Sequence, residues 1–394
     1  MIALLAVLGG VGYIAATRLV PDRATPTAQP TPPARRGSRD RAARRARRGG
    51  LHRGHPARPR PGHAHRATDA PTTGAASGTR GTAVRRRAPA SAVPVPSLGP
   101  TIPAGTTSGF VVVAPNGRQA YVANRAAGVV TVVDTAVNRV TATIPVEAGP
   151  PQFMAFSPDG RTIYVSIWDD ARTIAAVGVL DTTSNSMVAT IPVRTRPYLA
   201  AVSTDGKWLY VPNHDSGTVS LIDTATNQVT TEITVAPNPH WIEFSVDGSR
   251  AYIANHESNV VSVLDTADNT VIAEVPVDVS PHSVAVHPTR PLVANVNYDS
   301  STVTMIDTDT RQVVARIPVG TKPQDITWSP DGRFAYTANV EANSVSVINA
   351  DTMTVTATIP TGASPTSVAV TPDGRTGYVS NLRDGTLTLL NLAG

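Results

Sequence analysis

Four histidines in the middle of the chain recur at one interval: His214 and His256 are 42 residues apart, as are His240 and His282. Tyr198 precedes His240 by the same 42 residues, Gln324 follows His282 by 42, and Gln152 takes the corresponding place one repeat before Tyr198. Acids stand beside them at Asp215, Glu257, Asp299 and Glu341. Imidazoles with nearby carboxylates are the donor set of divalent-metal sites and of pockets for polar ligands. Gln152, Tyr198, His214, His240, His256, His282 and Gln324 are therefore the candidate ligand-binding residues, with His240 and His282 the candidates for a metal. The interval belongs to a repeat rather than to a ligand motif, so the competing reading is a set of exposed loop histidines among solvated acids. No catalytic residue is assigned, because the sequence has no Gly-rich phosphate loop, no setting for a Ser nucleophile and no carboxylate pair at a definable distance. No cofactor is implied beyond the open question of a metal. The absence of cysteine excludes disulfides, thiolate metal sites and Cys nucleophiles.

The elements that would position these residues follow from the repeat itself. Phase marks of the type Ile-Pro-Val begin at Ile102, Ile144, Ile191, Ile233, Val275, Ile317 and Ile359, at intervals of 42 residues except for one of 47. Periods of 40–45 residues point to propeller arrays. Within the sixth repeat, QDITWSP runs as a short strand into Asp331-Gly332, a hairpin signal because Gly takes positive φ without steric cost. RFAYTAN, SVSVINA and VTATIPV then supply three further strands, giving four antiparallel strands per repeat and no helical stretch. One such sheet cannot bury both faces; radial stacking of several does so.

The turn pair recurs as Asn116-Gly117, Asp159-Gly160, Asp205-Gly206, Asp247-Gly248, Asp331-Gly332 and Asp373-Gly374, and the fifth repeat breaks it with Thr289-Arg290. The second repeat is longer around WDDARTIAAV and carries Ile167 where the others have Asn124, Asn213, Asn255, Asn297, Asn339 and Asn381. The last repeat ends without a fourth strand, and TIPA upstream of the first matches the missing ending. Residues near 96–103 are thus expected to supply the outer strand of the last blade, closing a ring of seven.

Two loops per blade fall on each face of such a disc. One face takes the Asp-Gly turns and the turns after Asp134, Asp181, Asp223, Asp265 and Asp307 (with Asn349 and Asn391 continuing the row), whose side chains are expected to bond their own turn amides. The other takes the variable residues: Gly109, Gln152, Tyr198, His240, His282, Gln324 and Thr366 near the central channel, and Arg125, Trp168, His214, His256, Tyr298, Val340 and Leu382 after the Asn row.

AYVANRAAGVVTVVDTAVNRVTATIPV and AYIANHESNVVSVLDTADNTVIAEVPV resemble the YVTN family of β-propeller repeats, known from surface-layer proteins and related to lactonase-like seven-bladed propellers. The resemblance extends over all seven repeats and implies an all-β, seven-bladed propeller of four-stranded blades at 93–394. For function it implies a range, from binding and scaffolding to lactonase-like hydrolysis, since this fold hosts many chemistries.

The first ninety residues are of another kind. Residues 1–17 are uncharged, close to the shortest helix that spans a bilayer, and a membrane-anchor helix over 1–20 is expected, with a cleaved signal peptide and a secreted protein as the alternative. Residues 21–92 are rich in Pro, Arg, Gly, Ala and Thr and read as a disordered linker. Residues 18–90 hold 18 Arg and 3 Asp, whereas 91–394 hold 16 Lys+Arg and 26 Asp+Glu, so the overall +5 conceals an acidic propeller. That acidity argues against specific nucleic-acid binding. Arg18 directly after the apolar run favours a cytoplasmic flank by the positive-inside rule, while a stalk carrying repeats favours the outside; the reading adopted is a single-pass membrane protein with an extracytoplasmic, monomeric propeller. A binding or scaffolding role toward protein or cell-envelope glycan follows as the expected function, with a lactonase-like or metal-dependent enzyme as the alternative.

Overall fold

The computed structural model describes residues 88–394; the anchor expected over 1–20 and the linker up to residue 87 lie outside the described residues. Among the described residues no helix is long and apolar enough to cross a membrane.

The chain forms seven four-stranded antiparallel sheets, six of them hydrogen-bonded in chain order from the innermost strand outward. Blades 1 to 6 occupy residues 108–145, 151–192, 197–234, 239–276, 281–318 and 323–360. The second and third strands, such as Arg250–Asn255 and Val260–Asp265, are buried over nearly their whole length. They lie between neighbouring blades, so both faces are buried, and the Ser and Thr that alternate with Val, Leu and Ile in third strands such as Ser344–Asn349 are buried too. Outermost strands such as Thr354–Pro360 alternate exposed and partly buried residues at period two, one face being left to solvent.

Blade 7 is built from both ends of the chain. Pro365–Val370, Thr376–Asn381 and Thr386–Ala393 provide three strands, and Ala92–Pro103 adds the outermost, pairing Thr101 with Thr388, Ile102 with Leu387 and Pro103 with Thr386. The expected closing strand is thus present, longer than its sequence signature because two register shifts carry it past Leu98 and back to Ala92. Pairing the termini leaves the last sheet without an open edge against the first blade.

The Asp-Gly turns are stitched alike. Ser157, Ser203, Ser245 and Ser329 each donate a hydroxyl to the Asp two residues on, at 2.6–2.7 Å, and the glycines hold φ of 72–76°. Thr135, Thr182, Thr224 and Thr266 donate to the carbonyls of Gly117, Gly160, Gly206 and Gly248, so both turn sets share one face. The exception in blade 5 has a substitute: His287 Nδ1 accepts from the amides of Thr289 and Arg290 while Nε2 donates to the Gly332 carbonyl at 2.8 Å. Asp134, Asp181 and Asp223 accept from the amides two and three residues ahead, the structural role expected for that row. The expectation of no helical stretch needs one correction, a 3-10 turn at His214–Ser216, which ends at Gly217 in the left-handed region.

Candidate functional site

Each inner strand carries an irregularity at its second residue. In blade 4, Pro239 pairs with Asn255 and Trp241 with Ala254, so His240 between them has no partner. The same shift frees Gly109, Gln152, His282, Gln324 and Thr366. In blade 3 an isolated bridge from Pro197 to Asn213 leaves Tyr198 in the equivalent place. A bulge re-aims the extra residue, and six of them plus Tyr198 set one ring of side chains at the channel mouth.

The ring is closed upon itself. His240 Nδ1 lies 2.8 Å from the His282 carbonyl, His282 Nδ1 lies 3.1 Å from Gln324 Oε1, Gln152 Nε2 donates to the Trp168 carbonyl, and Thr366 Oγ1 to the Gly109 carbonyl. A carbonyl oxygen only accepts, so His240 carries its proton on Nδ1, and Gln324 Oε1 places that of His282 likewise. Tyr198 is tilted on His240 at 4.0 Å, His240 stacks on His282 at 4.5 Å, and His282 stacks on Tyr298 at 4.4 Å with 9° between planes.

The loops after the buried Asn row bring the second pair of histidines onto this ring. Asn124, Asn255, Asn297, Asn339 and Asn381 are fully buried, each donating Nδ2 to a hydroxyl seven residues on, which fixes where the following loop leaves the sheet. His214 lies 5.0 Å from Tyr198, and its Nδ1 is 2.7 Å from Asp215 Oδ1. His256 lies 4.6 Å from His282, and its Nδ1 is 3.5 Å from His214 Nε2. Thus Tyr198, His214, His240, His256, His282 and Gln324 form one cluster. Gln152 stands apart from it, beyond Trp168, which stacks on Tyr198 at 5.6 Å under the guanidinium of Arg196 at 4.6 Å.

The expectation of exposed loop histidines is overturned. His214, His240 and His282 are 7, 3 and 2 % exposed, and only His256 keeps intermediate contact with solvent. Stacked rings from four consecutive blades cover one another, which a linear sequence does not reveal. Burial lowers the pKa of His214 to about 4, with Asp215 opposing the fall. Burial and then the neighbouring imidazoles hold His240 and His282 well below the usual histidine range, and burial lowers His256. The cluster is uncharged at neutral pH. Around it cations and acids pair off: Arg125 with Asp170, Arg172 and Arg196 with Asp215, Lys322 with Asp299. As placed, no three His, Asp or Glu side chains among the described residues have donors set around one metal position.

Beneath the ring the channel is filled. Phe110 of blade 1 packs at 5.3 Å on Phe153 of blade 2 and at 5.6 Å on Trp241 of blade 4, a contact that crosses the axis because blades 1 and 4 are not neighbours. On the opposite side the same layer is polar. Asp325 accepts from Ser283 Oγ and from the amides of Ile326 and Val368, and burial still raises its pKa to about 6. Glu243, one layer deeper, accepts from the Val286 amide; burial first, and the charge of Asp325 last, raise its pKa to about 8. The residue as a whole is partly exposed, whereas its carboxyl is enclosed by protein.

Sequence reasoning placed Trp168 and Tyr298 among the variable loop residues but not in the site, and it missed Arg196, Glu243, Asp325 and the aromatic plug. The signal was in the repeat columns. Glu243 aligns with Val112, Ala155, Ala201, Ala285, Thr327 and Ala369, and Asp325 with Phe110, Phe153, Leu199, Trp241, Ser283 and Ser367, so each acid stands in a largely apolar column.

Comparison with known proteins agrees with the architecture. The family described as Lactonase, 7-bladed beta-propeller, matches residues 222–319, from the end of blade 3 into blade 5. Together with seven four-stranded blades this is consistent with a lactonase-like propeller. A solved structure of hydrazine synthase from Kuenenia stuttgartiensis is similar in fold, with 21 % identity over 73 % of this chain and 96 % of that one, at a TM-score of 0.65. No curated protein matches the chain.

Proposed function

We propose, from a seven-bladed propeller consistent with the lactonase-like type, that the chain is a recognition module: membrane-tethered through residues 1–20, extracytoplasmic, and binding protein, cell-envelope glycan or a small ligand through its channel-mouth face. The observation that carries this reading is the filling of the mouth by its own side chains. Gln152, Tyr198, His240, His282, Gln324 and Thr366 are each no more than 9 % exposed and hydrogen-bonded to or stacked on neighbouring groups of the mouth, above an aromatic plug. An enclosed reaction needs a volume that holds substrate away from water. A capped mouth with a rim of paired charges and aromatic edges offers instead a rigid surface for contact.

The test is photo-crosslinking of the full chain in intact cells. A crosslinkable residue at His256 or Glu341, on the mouth face, is expected to capture a partner, and one at Asp247, on the Asp-Gly face, is not. Equal capture from both faces, or lactone turnover abolished by His240→Ala, would overturn the proposal in favour of the enzymatic alternative. Protease shaving of the same cells checks orientation, since a cytoplasmic propeller survives it.

A further inference from the structure

Within that recognition face, and resting on the proposal that it binds, we infer that the histidine cluster is a site for one borderline divalent transition-metal ion, held by His214 Nε2, His256 Nδ1 and His282 Nε2. Zinc, copper, nickel and cobalt all accept imidazole donors.

Three observations carry this. The first is the state of the ring nitrogens. A metal-binding histidine typically gives its other ring N–H to a carboxylate or carbonyl, which fixes the tautomer and turns the remaining lone pair toward the ion. His214 does this with Asp215 Oδ1 at 2.7 Å and His282 with Gln324 Oε1 at 3.1 Å. Asn238 Nδ2 also lies 3.3 Å from His214 Nδ1, but both are donors once Nδ1 carries its proton, so Asp215 alone accepts it. His282 Nε2 is left bare, and His214 Nε2 meets only His256 Nδ1, at 3.5 Å.

The second is the unmet capacity of one of them. His282 is 2 % exposed, and its Nε2 has no hydrogen-bond partner. A buried polar atom left unmatched costs stability, so a core that retains one calls for a reason. Packing alone does not supply it, since a Phe or Leu would stack between His240 and Tyr298 without the penalty.

The third is distance. His214 Nε2 and His256 Nδ1 are 3.5 Å apart. Two imidazole nitrogens bound to one ion at about 2.1 Å, in tetrahedral arrangement, stand about 3.4 Å from each other. The ring of His282 meets that of His256 edge-on at 4.6 Å and 77°, which puts a third imidazole beside the pair. What the present arrangement lacks is convergence of the third donor. His256 is the most exposed of the four rings, so it is the one that metal binding would draw toward His282. His240 lies flat against His282 at 21° and acts as a wall rather than a ligand. Asp215 and Asp299 stand beside the donor set, each also paired with a cation.

The probe is the metal alone. Residues His52, His55, His63 and His65 offer competing imidazoles, so the full chain carrying Ala at those four positions is stripped with chelator and titrated calorimetrically with Zn2+. One equivalent is expected. His256→Ala, which empties a half-exposed position, is expected to remove that equivalent while the unfolding transition is unchanged, and Asp215→Asn to weaken it about 10- to 100-fold. Cu2+ loading gives a second readout independent of variants: nitrogen hyperfine splitting from three imidazoles. No bound equivalent, binding unchanged in His256→Ala, or a copper spectrum without imidazole nitrogen would each overturn the assignment. If the metal fails while crosslinks from the mouth face persist, the site assignment falls and the recognition proposal stands.

Discussion

Replacing Glu243 by Gln tests whether the channel interior is as sealed as the plug implies. Glu243 titrates at about 8 rather than at 4.5, chiefly because burial disfavours its charged form. Between those two values the folded chain holds a proton that the unfolded chain has released. Stability therefore falls as pH rises through this window, the opposite of the usual behaviour of a carboxylate. Each unit corresponds to about 1.4 kcal/mol. Between pH 6 and pH 9 two units of the window remain, a loss of at most about 3 kcal/mol in the wild-type chain. Gln keeps the shape, still accepts from the Val286 amide 3.2 Å away, and never ionises. Guanidinium unfolding of the full chain, followed by tryptophan fluorescence, is expected to give similar stabilities for the two proteins at pH 6. At pH 9 Glu243→Gln is expected to be the more stable by 1–3 kcal/mol, roughly the remaining linkage less what channel contact relieves. Parallel curves across this range would show that water reaches the carboxyl freely and that the plug does not seal the channel.

Three further substitutions probe the frame. Ile102→Ala in the closing strand removes a side chain 6 % exposed against Leu387 and should cost about 2–5 kcal/mol, read from the denaturant midpoint, whereas Val95→Ala, at an exposed position of the same strand, should stay within about 0.5 kcal/mol. Trp241→Ala should cost about 3–5 kcal/mol and raise hydrogen exchange at the start of the inner strands of blades 1 and 2, where its ring meets Phe110 and Phe153. Tyr210→Phe should lose about 1 kcal/mol with the hydroxyl bond to Asn269 at 2.7 Å, while Tyr336→Phe, whose buried hydroxyl has no partner, should be neutral or stabilising; equal losses would mean that the bond adds nothing to packing.

That last contrast also marks how far the repeat could be read. Tyr121, Tyr210 and Tyr378 each reach the Asn of the next blade's outer turn, at Asn185, Asn269 and Asn138. Tyr336 faces blade 7, whose outer strand comes from the other end of the chain and brings no such turn. Period, turn chemistry and the borrowed strand were legible because each is written locally, in Asp-Gly pairs, alternating runs and the orphan TIPA. The substitute at His287 was not, since it depends on the Gly332 carbonyl of the neighbouring blade.

The site was legible in membership but not in state. Repeat register alone put His214, His240, His256, His282, Tyr198 and Gln324 on one face, because residues 42 apart occupy equivalent places on successive blades. Their burial follows from two features that no single repeat encodes. A bulge turns the second residue of each inner strand into the channel, and seven such residues converge on one axis whose radius the blade number sets. A histidine that would be a solvated loop residue on one blade thus becomes, with copies on its neighbours, part of a stacked and neutral core. Ionisation state is here a property of the ring and not of the repeat. Variation confined to these positions changes the chemistry of the mouth while the strands that carry it stay the same.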